Sequence, residues 1–455
     1  MLSNERLTMA DLDFEIEKRA IDTILVAFSD LQGRLVGRRV TVDYFRTTVL
    51  VSGMRLPSYL LATDATGRPA RGFDLSSVEN GYPDLVLRAD PATLFRMPWQ
   101  PATVGILGDL ELPDGTPVST SPREILRRQA QRIEGSSLLP DIGLEPQFTA
   151  FADSHREGLR DGFADLNHAG PVGAGHVAFQ SATSEPLLHR VRSEGSQIPV
   201  GIEATVGLPS PGHFEVTLRP GNAVAVCDGA LVLRAAIKDI AVQEGMCATF
   251  MSAYDQDAGT AGHVTVSLRG ARGGTALADR HGDGGLSEVG KAFIAGQLEH
   301  ASELCLLYAP NVNSYRRFSA DPFSPSAVNW GTDNRTCAIR VLGAESTLRV
   351  ENRIPGSDAN PYLAVAATVA AGLDGINRQA RLPAAVSGDG RHTDALPLPT
   401  SLTEALIAWT ESAWVRETFG ATVQDHYARL ARLELDAVGE AGSLDAERSR
   451  YFDGC

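Results

Sequence analysis

An α+β fold in two domains is what this chain predicts, and three observations carry the reading. The opening segment alternates short β patterns, DTILVAFSD, LVGRRVTVDYF, DLVLRAD and VGILGDLEL, with turn signals at 30–33 and 81–83. Further on, the strand patterns GLEPQFTAFA, HFEVTLRP, GHVTVSL, CAIRVLG and TLRVENRI alternate with helical patterns as long as AVCDGALVLRAAIKDIAVQEG. At 455 residues, the chain also exceeds the usual size of a single hydrophobic core.

Taken in order, the amino terminus MLSNERLTMADLDFEIEKRA is acidic and helical in pattern, with no basic stretch leading into an apolar one. A secretory signal is therefore not expected. Residues 1–112 form the small sheet-rich domain and 113–455 the larger α+β domain. The boundary falls in the segment from Leu112 to Pro122, which holds Pro113, Asp114, Gly115 and Pro117. A helix should start at Ser121, with Pro122 in its first position, and run through Arg132. Stretches 153–194 and 271–285 are rich in Gly, Asp, Arg and Ser and read as loops. The tail after Pro397 reads as two or three closing helices, and no internal repeat is visible.

The formal charge of −15 argues against general affinity for nucleic acid or an anionic membrane, both of which require a basic footprint. No apolar run is long enough to span a bilayer. The five cysteines (Cys227, Cys247, Cys305, Cys337, Cys455) show no CxxC pairing, which points to buried thiols in a reducing cytoplasm.

The run TLRVENRI places Arg349, Glu351 and Arg353 on alternate positions, so a strand would turn them to one face and Leu348, Val350 and Ile354 to the other. An ion-pair row on a solvated sheet face would explain that alternation by itself. Upstream, however, WGTDNRTCAIRV adds Arg335 and Arg340. Arginines gathered around one carboxylate suit a substrate rich in negative charge that brings a metal ion, such as a nucleoside triphosphate. Three more strand patterns each present a potential ligand: Glu145, Glu215 and His263.

From Asp30 to Leu373 the chain resembles the glutamine synthetase family, nearest to the branch that makes γ-glutamyl amides of larger amines. The resemblance rests on DLQGRLVGRRV (30–40), NGYPDLVL (80–87), GLEPQFTAF (143–151), GIEATVGLPSPGHFEVTL (201–218), NVNSYRRF (311–318), WGTDNRTCAIRV (330–341) and RVENRIPGSDANPYLAVAA (349–367). It implies an N-terminal β-grasp domain, a catalytic domain with a curved antiparallel sheet, and homo-oligomeric rings of hexamer or double-hexamer type. It also implies a chemistry in which ATP phosphorylates a carboxylate and an amine then displaces phosphate. By the same resemblance Glu145, His263 and Glu351 would hold a Mg²⁺ or Mn²⁺ ion on the nucleotide side. Arg335 and Arg353 would stabilise the transition state, and Asp84 would bind or deprotonate the amine. Glu203, Ser267, Arg340 and Arg349 match nucleotide positions, while Gly259, Arg317 and Arg353 match positions for the amino-acid substrate.

The chain also departs from the family. A second ion is held in relatives by three glutamates, but here Gln147 and Leu208 occupy two of those positions and only Glu215 remains. Losing two formal negative charges removes most of what offsets an ion's dehydration, so the second site is expected to be absent or very weak. Thr265 replaces a second histidine, FMSAYDQ lacks a lysine, and Ser324 stands where ammonium-using enzymes carry a glutamate over the site. His213, beside Glu215, is expected to be structural before it is a ligand or base. The leading expectation is an ATP-dependent ligase joining glutamate or an analogue to a non-ammonium amine. The alternatives are a catalytically silent regulatory homologue, or an enzyme repurposed to another reaction at a one-metal or metal-free site. Glu351→Ala is expected to abolish metal-dependent nucleotide binding while leaving the fold intact.

Overall fold

The computed structural model describes residues 7–173, 175–178, 182–270, 273–439 and 442–455. Its first sheet contains β1 (Thr23–Ser29), β2 (Leu35–Thr41), β3 (Met54–Pro57), β4 (Asp84–Ala89), β5 (Phe95–Arg96) and β6 (Thr103–Glu111) in the order β2-β1-β6-β4-β3, with β5 also on β6. β1 and β6 run parallel in the centre and the other pairs are antiparallel. This is the arrangement a β-grasp sheet requires.

The second sheet comprises β7 (Leu138–Phe151), β8 (Ile202–Gly207), β9 (His213–Leu218), β10 (Gly221–Asn222), β11 (Cys247–Thr249), β12 (Gly262–Gly270), β13 (Trp330–Thr332), β14 (Ile339–Leu342) and β15 (Arg349–Asn352). Its order is β13-β14-β15-β12-β7-β9-β8, with β10 and β11 added along β7, and only β13 and β14 pair in parallel. β7 changes partners along its length: β12 pairs with 138–146 and β9 with 147–149. One strand thereby sets Glu145 beside β12 and Gln147 beside β9.

Leu144, Phe148, Phe214, Val216, Val264, Val266 and Val350 face away from the cleft and are buried. Helices Pro122–Gly135, Ala223–Gln243 and Pro361–Arg378 contact this sheet. Each such side chain contributes about 1.5–3 kcal/mol of burial, which makes this layer the rigid support of the polar face. Small residues set how closely the helices pack. A Cβ on Gly296 would lie 2.1 Å from the Ala371 carbonyl oxygen, so Glu288–Glu299 and Pro361–Arg378 approach as glycine and alanine allow.

The two sheets are tied together at Asn360. Its side-chain amide donates to the carbonyls of Asp30 (3.0 Å) and Leu31 (3.3 Å), and its oxygen caps the helix at the Tyr362 amide. Buried Arg123, near the start of its helix, bridges Asp90 and Asp109 of the first sheet's region to Asp228.

Two expectations on local structure change. Stretch 153–194 holds helices His155–Arg160 and Glu185–Gly195, and the first starts at a reciprocal cap between Ser154 and Glu157. The S-x-x-E signature was present but lay within a Gly- and Asp-rich context that reads as loop. Of the expected loops, residues 174, 179–181, 271 and 272 lie outside the described residues. Among its described residues the tail forms four helices, because Ser412 ends Leu402–Glu411 and caps Ala413–Phe419 by accepting from the Val415 amide. All five cysteines are free and buried. No helix among the described residues is long and apolar enough to cross a membrane.

Candidate active site

The cleft face of the second sheet is set by register. His263 pairs with Glu145, Thr265 and Arg340 both pair with Glu351, and Gln147 pairs with Glu215. With alternate side chains on opposite faces, these residues share one polar surface across five strands.

Glu145, Glu215 and His263 converge, with one ligand atom from each lying within 4.8 Å of the other two. Burial, together with the neighbouring Glu215 and Glu351 charges, pushes the Glu145 carboxyl up to about 7. Burial likewise raises Glu215, opposed by its hydrogen bond from Gln147. Burial and then the surrounding guanidiniums, Arg353 first, hold His263 well below the usual histidine range. The imidazole is therefore neutral, which is the form that binds a metal. Its Nδ1 is buried without a hydrogen-bond partner. Two mutually repelling carboxylates beside an unpartnered neutral imidazole fit a divalent cation of the Mg²⁺ or Mn²⁺ class.

Glu351 carries arginine contacts on one oxygen, Oε2, in addition to facing the expected ligand His263 with the other. It is 2% exposed, and accepts from Arg353 Nη1 at 3.0 Å and Arg340 Nη1 at 3.4 Å, while lying 3.8 Å from His263 Nδ1. Arg340 is held in turn by Asp333. Arg353 also donates to the carbonyls of Arg335 (3.1 Å) and Phe323 (3.4 Å). Because Glu351 is the shared acceptor of two buried guanidiniums, Glu351→Ala is now expected to cost stability as well as any metal-dependent nucleotide binding. Removing one member of such a group leaves buried charge uncompensated.

Arg317 is 1% exposed, donates to the Ile354 carbonyl and has an unpartnered Nε. Burial lowers its pKa to about 10. Gly259 lies against it: a Cβ there would come within 2.4 Å of Arg317 Cγ. Ser267 is on the cleft face of β12 and donates to the Leu348 carbonyl at 3.4 Å. Arg349 and Arg335 are exposed, and Arg335 lines an open cavity of about 590 Å³ with Thr332, Asp333 and Val386.

The remaining expected residues make none of the contacts just described. Glu203 is exposed at a bulge in β8. Asp84 opens β4 in the other sheet and is exposed. Ser324 is 1% exposed with an unpartnered hydroxyl. His213 is 3% exposed and points toward Asp255, whose Oδ2 is 3.9 Å away and accepts at 3.0 Å from His168. Burial takes His213 down to about 4. It is thus an uncharged imidazole turned toward Asp255, in keeping with a structural role. Sequence reasoning missed Asp333 as the partner of Arg340; its signal was an acidic residue in the turn between two strands, too common to single out. It also missed Asp255 with His168, whose 87-residue separation leaves no local pattern.

Comparison with known proteins fits this geometry. Residues 119–451 match the glutamine synthetase catalytic domain. The chain is 42% identical to the γ-glutamylethanolamide synthetase of Streptomyces coelicolor over 433 residues, covering 95% of this chain and 93% of that protein. It is 32% identical to the glutamate–isopropylamine ligase of a Pseudomonas species, covering 99% of each. It is 31% identical to the γ-glutamylputrescine synthetase of Escherichia coli, covering 87% of this chain and 84% of that protein. Among solved structures it resembles the ligand-free form of GmaS, with a TM-score of 0.80, 26% identity and coverage of 94% and 96%. The chain belongs to the glutamine synthetase family.

Proposed function

We propose that this protein is an ATP-dependent ligase that joins glutamate or a close analogue to a non-ammonium amine. The observation that carries the reading is the cluster of Glu145, Glu215 and His263, flanked on the same face by Arg340 and Arg353. The family and the three ligase relatives support it over a silent or repurposed homologue. A substrate carboxylate oxygen attacks the γ-phosphorus of ATP and ADP leaves. The amine nitrogen then attacks the acyl carbon, phosphate leaves, and one proton is given up.

Glu145, Glu215 and His263, with Glu351 adjacent, would hold a divalent ion, which would supply positive charge to the triphosphate. Buried Arg317, against Gly259, and Arg353 hold the amino-acid carboxylate. Arg335 and Arg353 stabilise the transferring charge. Arg340, Arg349, Ser267 and Glu203 serve the nucleotide. Asp84 takes the amine's proton; being exposed on the first sheet, it does so in a ring of subunits where a neighbouring copy completes each cleft. The domain division at residue 112 belongs to the same reading, as does work in a reducing cytoplasm. Ser324, buried where a gating glutamate would stand, leaves room for an amine bulkier than ammonium.

The test is phosphate release from ATP with glutamate, Mg²⁺ or Mn²⁺, and a panel containing ethanolamine, isopropylamine, putrescine and ammonium. Release that requires both glutamate and an organic amine is expected. No release with any amine, or release with ammonium alone, contradicts the proposal.

A further inference from the structure

Gln147 is pinned on four sides. Its backbone N–H donates to the Ala261 carbonyl (3.0 Å), and the Ala261 N–H donates back to Gln147 Oε1 (2.7 Å). Its carbonyl accepts from the Ser357 hydroxyl. Its remaining group, Nε2, donates to Glu215 Oε2 at 2.9 Å. The orientation of a side-chain amide is often ambiguous, but here a backbone donor fixes it: Oε1 must face the Ala261 N–H, so Nε2 must face Glu215.

Turning the amide to offer Oε1 to a cation beside Glu215 would leave the buried Ala261 N–H unpaired, and would aim an N–H group at that same backbone donor. Gln147 is only 8% exposed, so water would not readily take over either bond. Leu208, in the turn between β8 and β9, supplies no ligand atom in its side chain. A glutamate at 147 could keep the Ala261 bond through one oxygen, but the other would then face the Glu215 carboxylate. That contact is repulsive unless a cation lies between them.

We infer that the Gln147 amide replaces a second metal ion: it neutralises the demand at Glu215 by hydrogen bonding and holds that carboxylate toward Glu145 and His263, making this a one-ion site. Gln147 is a positioning residue in this scheme, acting on the ion through Glu215. The inference rests on the proposed ion at Glu145, Glu215 and His263.

The experiment titrates the full-length protein with Mn²⁺, counting bound ions by electron paramagnetic resonance, for wild type and Gln147→Glu. One ion per chain in wild type and two in Gln147→Glu are expected. Two ions in wild type, or one in both, overturn the inference while leaving the first site standing. No ion in either protein instead removes the first site on which the inference depends. If Gln147→Glu does not fold, Gln147→Met decides: it keeps the side-chain length and loses the amide. Its single Mn²⁺ should bind about 10–100-fold more weakly, and unchanged affinity overturns the inference.

Discussion

The two ends of the cleft solve the same electrostatic problem in opposite ways. At the β15 end two carboxylates, buried Glu351 and exposed Asp333, face the guanidiniums of Arg340 and Arg353, so two negative and two positive charges offset one another without a ligand. At the β7 and β9 end Glu145 and Glu215 converge with the neutral imidazole of His263 on β12, and the Gln147 amide donates to Glu215. The Gln147 amide meets the demand for a donor at Glu215 but not at Glu145, whose carboxyl is raised by burial and then by the neighbouring Glu215 and Glu351 charges. Burial alone does not mark a ligand, because a buried carboxylate can instead be held by the protein's own cations.

The comparison can be broken most severely at Glu145. Glu145→Ala should lower the rate of phosphate release by at least about 10²–10³-fold while leaving the melting temperature near that of the metal-free wild type. Glu351→Ala should do the opposite first: loss of the arginine partner should cost roughly 3–5 kcal/mol of stability, read by denaturant unfolding. Glu351→Gln, which keeps a hydrogen-bond acceptor, should lose less.

Gly259→Ala tests the substrate end. The added Cβ would drive Arg317 out of place, raising KM for glutamate about 10-fold or more, with a smaller effect on KM for ATP. A pH series sharpens the contrast without mutation. Glu145 is raised from 4.5 to about 7, so the folded metal-free chain holds a proton that the unfolded chain releases. The contribution of this group to stability therefore falls as pH rises through that window and stays low above it. Mg²⁺ should reverse the loss, so the gap in melting temperature between Mg²⁺-loaded and chelated protein should widen from pH 4.5 to 7. The smallest effect is expected at exposed Glu203, where Ala should change stability by no more than about 0.5 kcal/mol.

Much of this was legible in the sequence. Period-two alternation in TLRVENRI gave the cleft face of β15, and the Gln147 and Leu208 departures marked the altered end. The partnership of the charges was not legible. Whether Glu351 meets a metal or two arginines depends on the register of β14 against β15 and on Asp333 holding Arg340, neither of which leaves a local pattern. Likewise, Gln147 reads only as a missing charge until the Ala261 backbone shows which way its amide points. The helix at His155–Arg160 was hidden by composition, although its cap signature was written in the chain.

The measurement that tests the comparison most directly is Mn²⁺ affinity in Glu215→Gln beside Glu351→Gln, each checked for native folding. The charge balance predicts that Glu215→Gln loses the ion, with affinity down by about 10–100-fold or more, whereas Glu351→Gln retains it within a few-fold. The reverse pattern, with the ion lost from Glu351→Gln and kept by Glu215→Gln, would contradict it and return the ligand role to Glu351.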